Sequence, residues 1–230
     1  MKTLGLLGGM SWESTTAYYQ RLNRLARERL GGQHSAKLLI WSVDFAPIAA
    51  MQAADDWAGA TAVLVDAARR LEGAGAEALL ICANTMHLMA AEVQAAVGIP
   101  LIHVADATAA RLKANGATRP LLLATRFTME RPFYRERLSS LGVTAVIPPA
   151  PDRQRLHAII YEELIQGRFE PASRAAVAEI AARAIAEEGV DSVVLGCTEF
   201  GLLVEPGDFS APLFDTTEIH ARAAMDFALS

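Results

Sequence analysis

Residues 78–85 read Ala-Leu-Leu-Ile-Cys-Ala-Asn-Thr, and residues 192–199 read Ser-Val-Val-Leu-Gly-Cys-Thr-Glu. Each is a short apolar run that reaches a cysteine and then gives way to small polar residues. Similar runs recur at 3–7, 37–43, 101–104, 120–124, 144–147 and 213–214, separated by longer amphipathic stretches. This alternation is the pattern of β/α units around a parallel sheet. Helices are expected over 13–30, 58–73, 87–96, 105–114, 130–140, 153–166, 172–188 and 216–228. Ser11 is placed to cap the first, and Gly142, Gly167 and Gly189 suit left-handed C-caps of three others.

The two quoted stretches belong to a longer echo. Pro100-Leu101-Ile102-His103 follows the first as Pro212-Leu213-Phe214-Asp215 follows the second, and Gly5 through Ser11 finds a partner in Leu121 through Thr125. The expected fold is therefore α/β, with two pseudo-symmetric parallel-sheet domains, 1–115 and 116–230, and a final helix able to pack on the first half. No Pro/Gly/Ser-rich linker or low-complexity segment separates them. Open α/β sheets bind ligands beyond the carboxyl ends of their strands, which puts the expected active site in the cleft between the halves.

With 52% of 230 residues hydrophobic, a sizeable core is expected. The formal net charge of −5, without a Lys/Arg run, gives no footprint for nucleic acid. No apolar stretch approaches the ~20 residues of a membrane span. Met1-Lys2-Thr3 leads straight into an apolar run without a cleavable signal pattern. A cytoplasmic protein is expected, with both cysteines as reduced thiols. Lysine occurs only at Lys2, Lys37 and Lys113, each flanking an element, and none suits the Schiff base of a pyridoxal enzyme. No two of His87, His103, His157 and His220 share metal-ligand spacing with a cysteine, and residues 8–11 lack the Gly-Lys-Ser/Thr of a nucleotide loop. Neither cofactor nor metal is expected.

Three loops suit an amino-acid ligand. Gly8-Gly9-Met10-Ser11 joins a strand to a helix, where backbone amides can meet an anion. Asn84, Thr85 and Thr198 add an amide and hydroxyls at other strand ends, and Thr125 with Thr128 supplies a further donor pair. As a set they can hold an α-carboxylate; singly, each reads more readily as a helix cap. Cys197 stands at a strand tip where a helix N-terminus lowers a thiol's pKa, giving a thiolate near neutral pH. A buried, inert cysteine is the other reading. His87 either lines the site or caps a helix. His103, His157 and His220, like Trp12, Trp41 and Trp57, read as packing residues. Arg126 is a candidate for a distal carboxylate, with a surface role equally open.

Five motifs then coincide: Gly8-Gly9-Met10-Ser11-Trp12-Glu13-Ser14-Thr15, Asn84-Thr85-Met86-His87, Arg126-Phe127-Thr128-Met129, Tyr161-Glu162-Glu163-Leu164 and Gly196-Cys197-Thr198-Glu199. In this order, and with the closing Phe214 through His220, the chain resembles the aspartate/glutamate racemase family along essentially its whole length. The likeness is greatest to a broad-range or L-Asp/Glu branch. It implies a cofactor-independent homodimer that inverts the Cα of an amino acid with two bases on opposite faces. Cys197 falls on the second base, and Asn84, Thr85 and Thr198 fall on carboxylate-binding positions. Gln52 and Thr125 fall near the substrate; Met10, Ser11 and Thr128, from the ligand loops above, and Ala83 complete the expected binding residues. The family's first base, a Cys or in some members a Thr, is replaced here by Ala83, which exchanges no proton. Cys82 is one position away, and adjacent strand side chains point to opposite faces, so it reaches the site only if the strand has turned by then. A racemase with one base missing is expected to be slowed. One-sided chemistry, as in single-cysteine decarboxylases and isomerases of small dicarboxylates, and a non-catalytic amino-acid-binding protein are the alternatives.

Overall fold

The computed structural model describes residues 1–230, in two compact units: Met1–His103 with His220–Ser230, and Val104–Ile219. In the first unit the elements are β1 (Leu4–Gly8), α1 (Trp12–Leu30), β2 (Leu38–Ser42), α2 (Phe45–Ala53), α3 (Trp57–Gly73), β3 (Ala78–Ile81), a 3-10 turn (Thr85–Met89) and α4 (Ala90–Ala95). β1 is central, with β2 and β3 parallel to it on either side, and Leu101 bridges to Leu79 in a fourth position. Period-two alternation sorts the side chains. Leu4, Leu6, Leu80 and Cys82 pack with Tyr18, Leu22 and Leu25 of α1 and with Ala221, Ala224 and Met225 near the C-terminus. Leu7, Leu79 and Ile81 face the other way, onto Leu64, Ala67, Ala68 and Leu71 of α3. Burial on both faces is why β1 and β3 carry uninterrupted apolar sequence.

The second unit contains α5 (Val104–Ala114), β4 (Pro120–Leu123), α6 (Arg126–Glu130), α7 (Pro132–Ser140), α8 (Ala150–Ala158), α9 (Pro171–Glu187), β5 (Ser192–Leu195), α10 (Phe200–Leu203) and β6 (Leu213–Asp215). α11 (Thr216–Leu229) begins in this unit and ends in the first. β5 is central between β4 and β6, all parallel, and Val146 bridges to Leu121 beyond β4. With the bridges counted, both units place their strands in the order 2-1-3-4. The α/β reading with two parallel sheets therefore holds.

Several details depart from the sequence reading. α5 packs Val104, Ala105, Ala109 and Leu112 into the core of the second unit, where Arg137 also donates to Asp106 at 2.6 and 2.7 Å. Runs 101–104 and 144–147 form single bridges rather than strands, because Val104 already starts a helix and Pro148 and Pro149 have no N–H for a ladder. The helix expected over 130–140 breaks at Arg131, which Pro132 holds extended at φ −72°, ψ 145°. The one expected over 153–166 starts earlier, at Ala150, and runs into a π-helical turn over Ile159–Glu163. Trp12, expected in packing, is 66% exposed, and Trp41 is exposed on edge strand β2.

Candidate functional site

In a 2-1-3-4 sheet the winding reverses between the first and third strands, and ligands bind at the carboxyl ends there. The first unit brings the loop after β1 and the loop after β3 to this point. Gly9 has φ +90°, and a Cβ there would lie 2.2 Å from Val43 O, so glycine is required by both backbone and space. Its N–H donates to Thr15 Oγ1 at 2.7 Å, and Thr15 Oγ1 donates to Ser11 O at 3.0 Å. Ser11 Oγ accepts from Ser14 N at 3.2 Å and so caps α1. Met10 and Ser11 are buried in this turn.

After β3 the ladder continues one residue, with Cys82 N donating to Leu7 O at 2.9 Å. The strand has therefore not turned at Cys82, whose side chain is wholly buried among Leu4, Leu80 and α1. Burial alone pushes its thiol far up. Ala83 packs on the opposite face, and its carbonyl accepts from His87 Nδ1 at 3.0 Å. Asn84 and Thr85 follow, both buried, as is Gln52, whose Nε2 donates to Met86 Sδ at 3.1 Å. His87 sits 4.7 Å from His103 and 5.7 Å from His220, ring centre to ring centre. Burial and these neighbours hold it well below the ordinary histidine range, so it is neutral.

In the second unit the corresponding point lies between β4 and β5. Leu123 pairs with Leu195, and Gly196 N donates to Leu123 O at 2.7 Å, which brings Thr125 and Cys197 out on neighbouring strands. Gly196 eases that approach, since a Cβ there would lie 2.7 Å from Leu122 Cδ1 and 3.0 Å from Ala124 Cβ. Thr125 Oγ1 accepts from Thr128 N at 3.2 Å and lies 3.2 Å from Thr128 Oγ1, so these residues cap α6. Thr198 is buried beside Cys197. Arg126 is exposed, its guanidinium 5.6 Å from the Phe127 ring centre.

Cys197 is 7% exposed, and its thiol donates to Glu199 Oε2 at 3.0 Å. The amides of Glu199 and Phe200 donate to the sulfur and favour the thiolate. Burial and the adjacent Glu199 carboxylate oppose them and prevail, so the thiol rests well above its ordinary pKa. This corrects the expected thiolate: Cys197 at rest is a protonated acid with a carboxylate as its acceptor. Glu199 is the residue the sequence reading passed over, although a carboxylate two positions after a cysteine in a tight turn can reach back to it. Tyr161, displaced on the π-helical turn, packs 4.4 Å from His157 ring to ring. Burial raises its phenol, and Cys197 and Glu199 raise it further.

A family model described as Asp/Glu/Hydantoin racemase matches residues 7–224. A broad specificity amino-acid racemase of Bacillus subtilis (strain 168) is 21% identical, covering 99% of this chain and 98% of its own. Among solved structures, a candidate Asp/Glu racemase from Yersinia pestis is 48% identical with a TM-score of 0.92 and full coverage of both chains. PH1733, an aspartate racemase homologue from Pyrococcus horikoshii OT3, is 34% identical with a TM-score of 0.87, again with full coverage of both. The chain belongs to the Asp/Glu/hydantoin racemase family.

Proposed function

We propose that this protein is an amino-acid racemase acting on aspartate- or glutamate-like substrates, with Cys197 carrying the proton at Cα. The observation that carries the reading is the Cys197–Glu199 pair, a protonated thiol 3.0 Å from a buried carboxylate at a strand end of the kind where such sheets bind ligands. The family match and the aspartate racemase homologue support the acidic substrate; the broad specificity relative makes neutral amino acids the natural second class.

In this mechanism Glu199 takes the thiol proton, and the Cys197 thiolate takes the proton of Cα. The C–H electron pair stays on Cα and spreads into the α-carboxylate, which needs donors to hold its growing charge. Asn84, Thr85 and Thr198 are assigned that role, with Met10, Ser11, Gln52, Thr125 and Thr128 shaping the surroundings. Return of a proton to the opposite face completes inversion, and Glu199 releases the proton it took to solvent, which restores the resting thiol–carboxylate pair. Ala83 provides none, and Cys82 is too deeply packed to serve, so that proton comes from solvent. General acid–base assistance is worth ~10²–10⁴-fold, and the reaction is accordingly slowed rather than abolished. No pyridoxal group or metal takes part, and the rate is expected to withstand hydroxylamine and EDTA.

The test is incubation of each enantiomer of aspartate, glutamate and several neutral amino acids in D₂O, following Cα deuterium by NMR together with enantiomeric ratio. Racemisation with solvent as the second acid gives exchange of one enantiomer that outruns inversion. Ala83 also favours a second reading, one-sided protonation of a small dicarboxylate, which would show exchange with no inversion at all. Binding of amino acids without exchange or inversion would end the catalytic reading.

A further inference from the structure

The segment Phe214-Asp215-Thr216-Thr217-Glu218 plays no part in the scheme above, yet it lies against it. β6 pairs with β5 so that Asp215 is opposite Leu195, and Thr216 Oγ1 donates to Leu195 O at 2.7 Å. This fastens the start of α11 to a strand position two residues before Cys197. Asp215 Oδ1 accepts from Thr217 N at 2.8 Å. A Cβ on Gly201 would lie 2.9 Å from Asp215 Oδ2, so the turn that follows Cys197 and the turn at Asp215 are in close contact.

Thr217 itself is 2% exposed, a burial like that of Cys197 and Thr198, and its hydroxyl has no hydrogen-bond partner within the protein. Thr216, next to it and as deeply buried, has one. Buried polar side chains nearly always do, and an exception calls for an explanation. A valine would fill the same space without a polar atom.

We propose that the Thr217 hydroxyl is a substrate contact beside Cys197, accepting a hydrogen bond from the ammonium group of the bound amino acid. The inference rests on the racemase reading and adds a binding residue to it. The neighbouring charges select the ammonium rather than a carboxylate. Asp215 holds the Thr217 amide, and Glu199 holds the Cys197 thiol. The Asp215 carboxylate, bonded to the Thr217 amide itself, favours a cation at this hydroxyl. The hydroxyl oxygen offers two acceptor lone pairs, and an ammonium has three donors.

Thr217→Val, Thr217→Ala and Thr217→Ser variants test this by thermal shift and by KM. The probes are both enantiomers of aspartate and glutamate, with succinate and glutarate as the same dicarboxylates lacking the ammonium. Loss of a hydrogen bond to a charged group corresponds to about tenfold or more in affinity. Thr217→Val and Thr217→Ala should weaken the amino acids by that factor, Thr217→Ser should retain them, and the affinity for succinate should not change. Thr217→Val should melt no lower than the wild type, because an orphaned hydroxyl is gone. Unchanged amino-acid affinity in both Val and Ala variants would overturn the inference and leave the racemase reading standing, provided the wild type racemises. Equal weakening of succinate and aspartate would overturn it too, since the hydroxyl would then serve a carboxylate. A wild type that neither binds nor racemises any of the probes would sink both.

Discussion

At Cys197 two opposing effects meet on one sulfur. Two backbone amides stabilise the thiolate, as a helix start is expected to, while burial and the Glu199 carboxylate stabilise the thiol, and the latter prevail. Cys82 supplies the contrast: it is raised by burial alone, with no acceptor for its proton. What distinguishes the two thiols is therefore the Glu199 acceptor beside Cys197, not ionisation at rest. Glu199→Gln should remove both the charge and the accepting oxygen. Alkylation of Cys197 by iodoacetamide at neutral pH is then expected to speed up while racemisation slows, by about 10²-fold or more. If both rates were to fall together, Glu199 would be holding the turn rather than taking the proton. The position of Cys197 was legible in the sequence, because a cysteine closing an apolar run marks a strand end. Its protonation state was not, because that depends on where a side chain two residues away folds back.

Among the elements, α11 shows how one helix is seated by polar groups inside an apolar layer. His220, wholly buried, lies 2.7 Å from Ile102 O through Nε2 and accepts from Tyr18 OH through Nδ1 at 2.8 Å. That pattern fixes the neutral tautomer, and burial lowers its pKa to about 4. A histidine lowered on folding stabilises the protein above its unfolded pKa of ~6.5 and loses that contribution as pH falls through the folded value. Between pH 7 and pH 4 the loss from His220 is about 3 kcal/mol. In urea titrations His220→Gln should therefore show a shallower fall in stability over this range than the wild type; parallel falls would place the sensitivity elsewhere. The elements that were easy to read are those with one dominant signal. β3, β4 and, after Ser192, β5 are apolar because both faces are covered, and α1 is bounded by Ser11 and Gly31. α2 went unseen because Pro47 lies in its first turn and its alanines show no polar face, although Asp44 caps it through Ala46 N. The π-helical turn at Ile159–Glu163 leaves no periodic trace at all.

Across the whole molecule, each unit repeats the strand order 2-1-3-4 and presents its polar turn at the same reversal of winding. That repetition is why an internal echo in sequence was enough to give the fold class, and why the chemistry could be sought at Ala83–Thr85 and Thr125–Cys197 before any geometry was known. What the echo lacked was asymmetry. It gave Cys82 and Cys197 equivalent places, whereas the ladder bonds of Cys82 N to Leu7 O and Gly196 N to Leu123 O make Cys82 the counterpart of Gly196, and Ala83 that of Cys197. Thr217 stayed hidden for a related reason, since an unsatisfied hydroxyl is defined by its surroundings. In the proposed reaction the Cys197 sulfur exchanges the Cα proton. That step is tested most directly by Cα deuterium exchange of aspartate and glutamate in D₂O with the Cys197→Ser variant, alongside ligand-induced stabilisation of the same protein. Exchange should disappear while stabilisation by the amino acid is nearly retained; exchange persisting at the wild-type rate would mean that another group moves the proton.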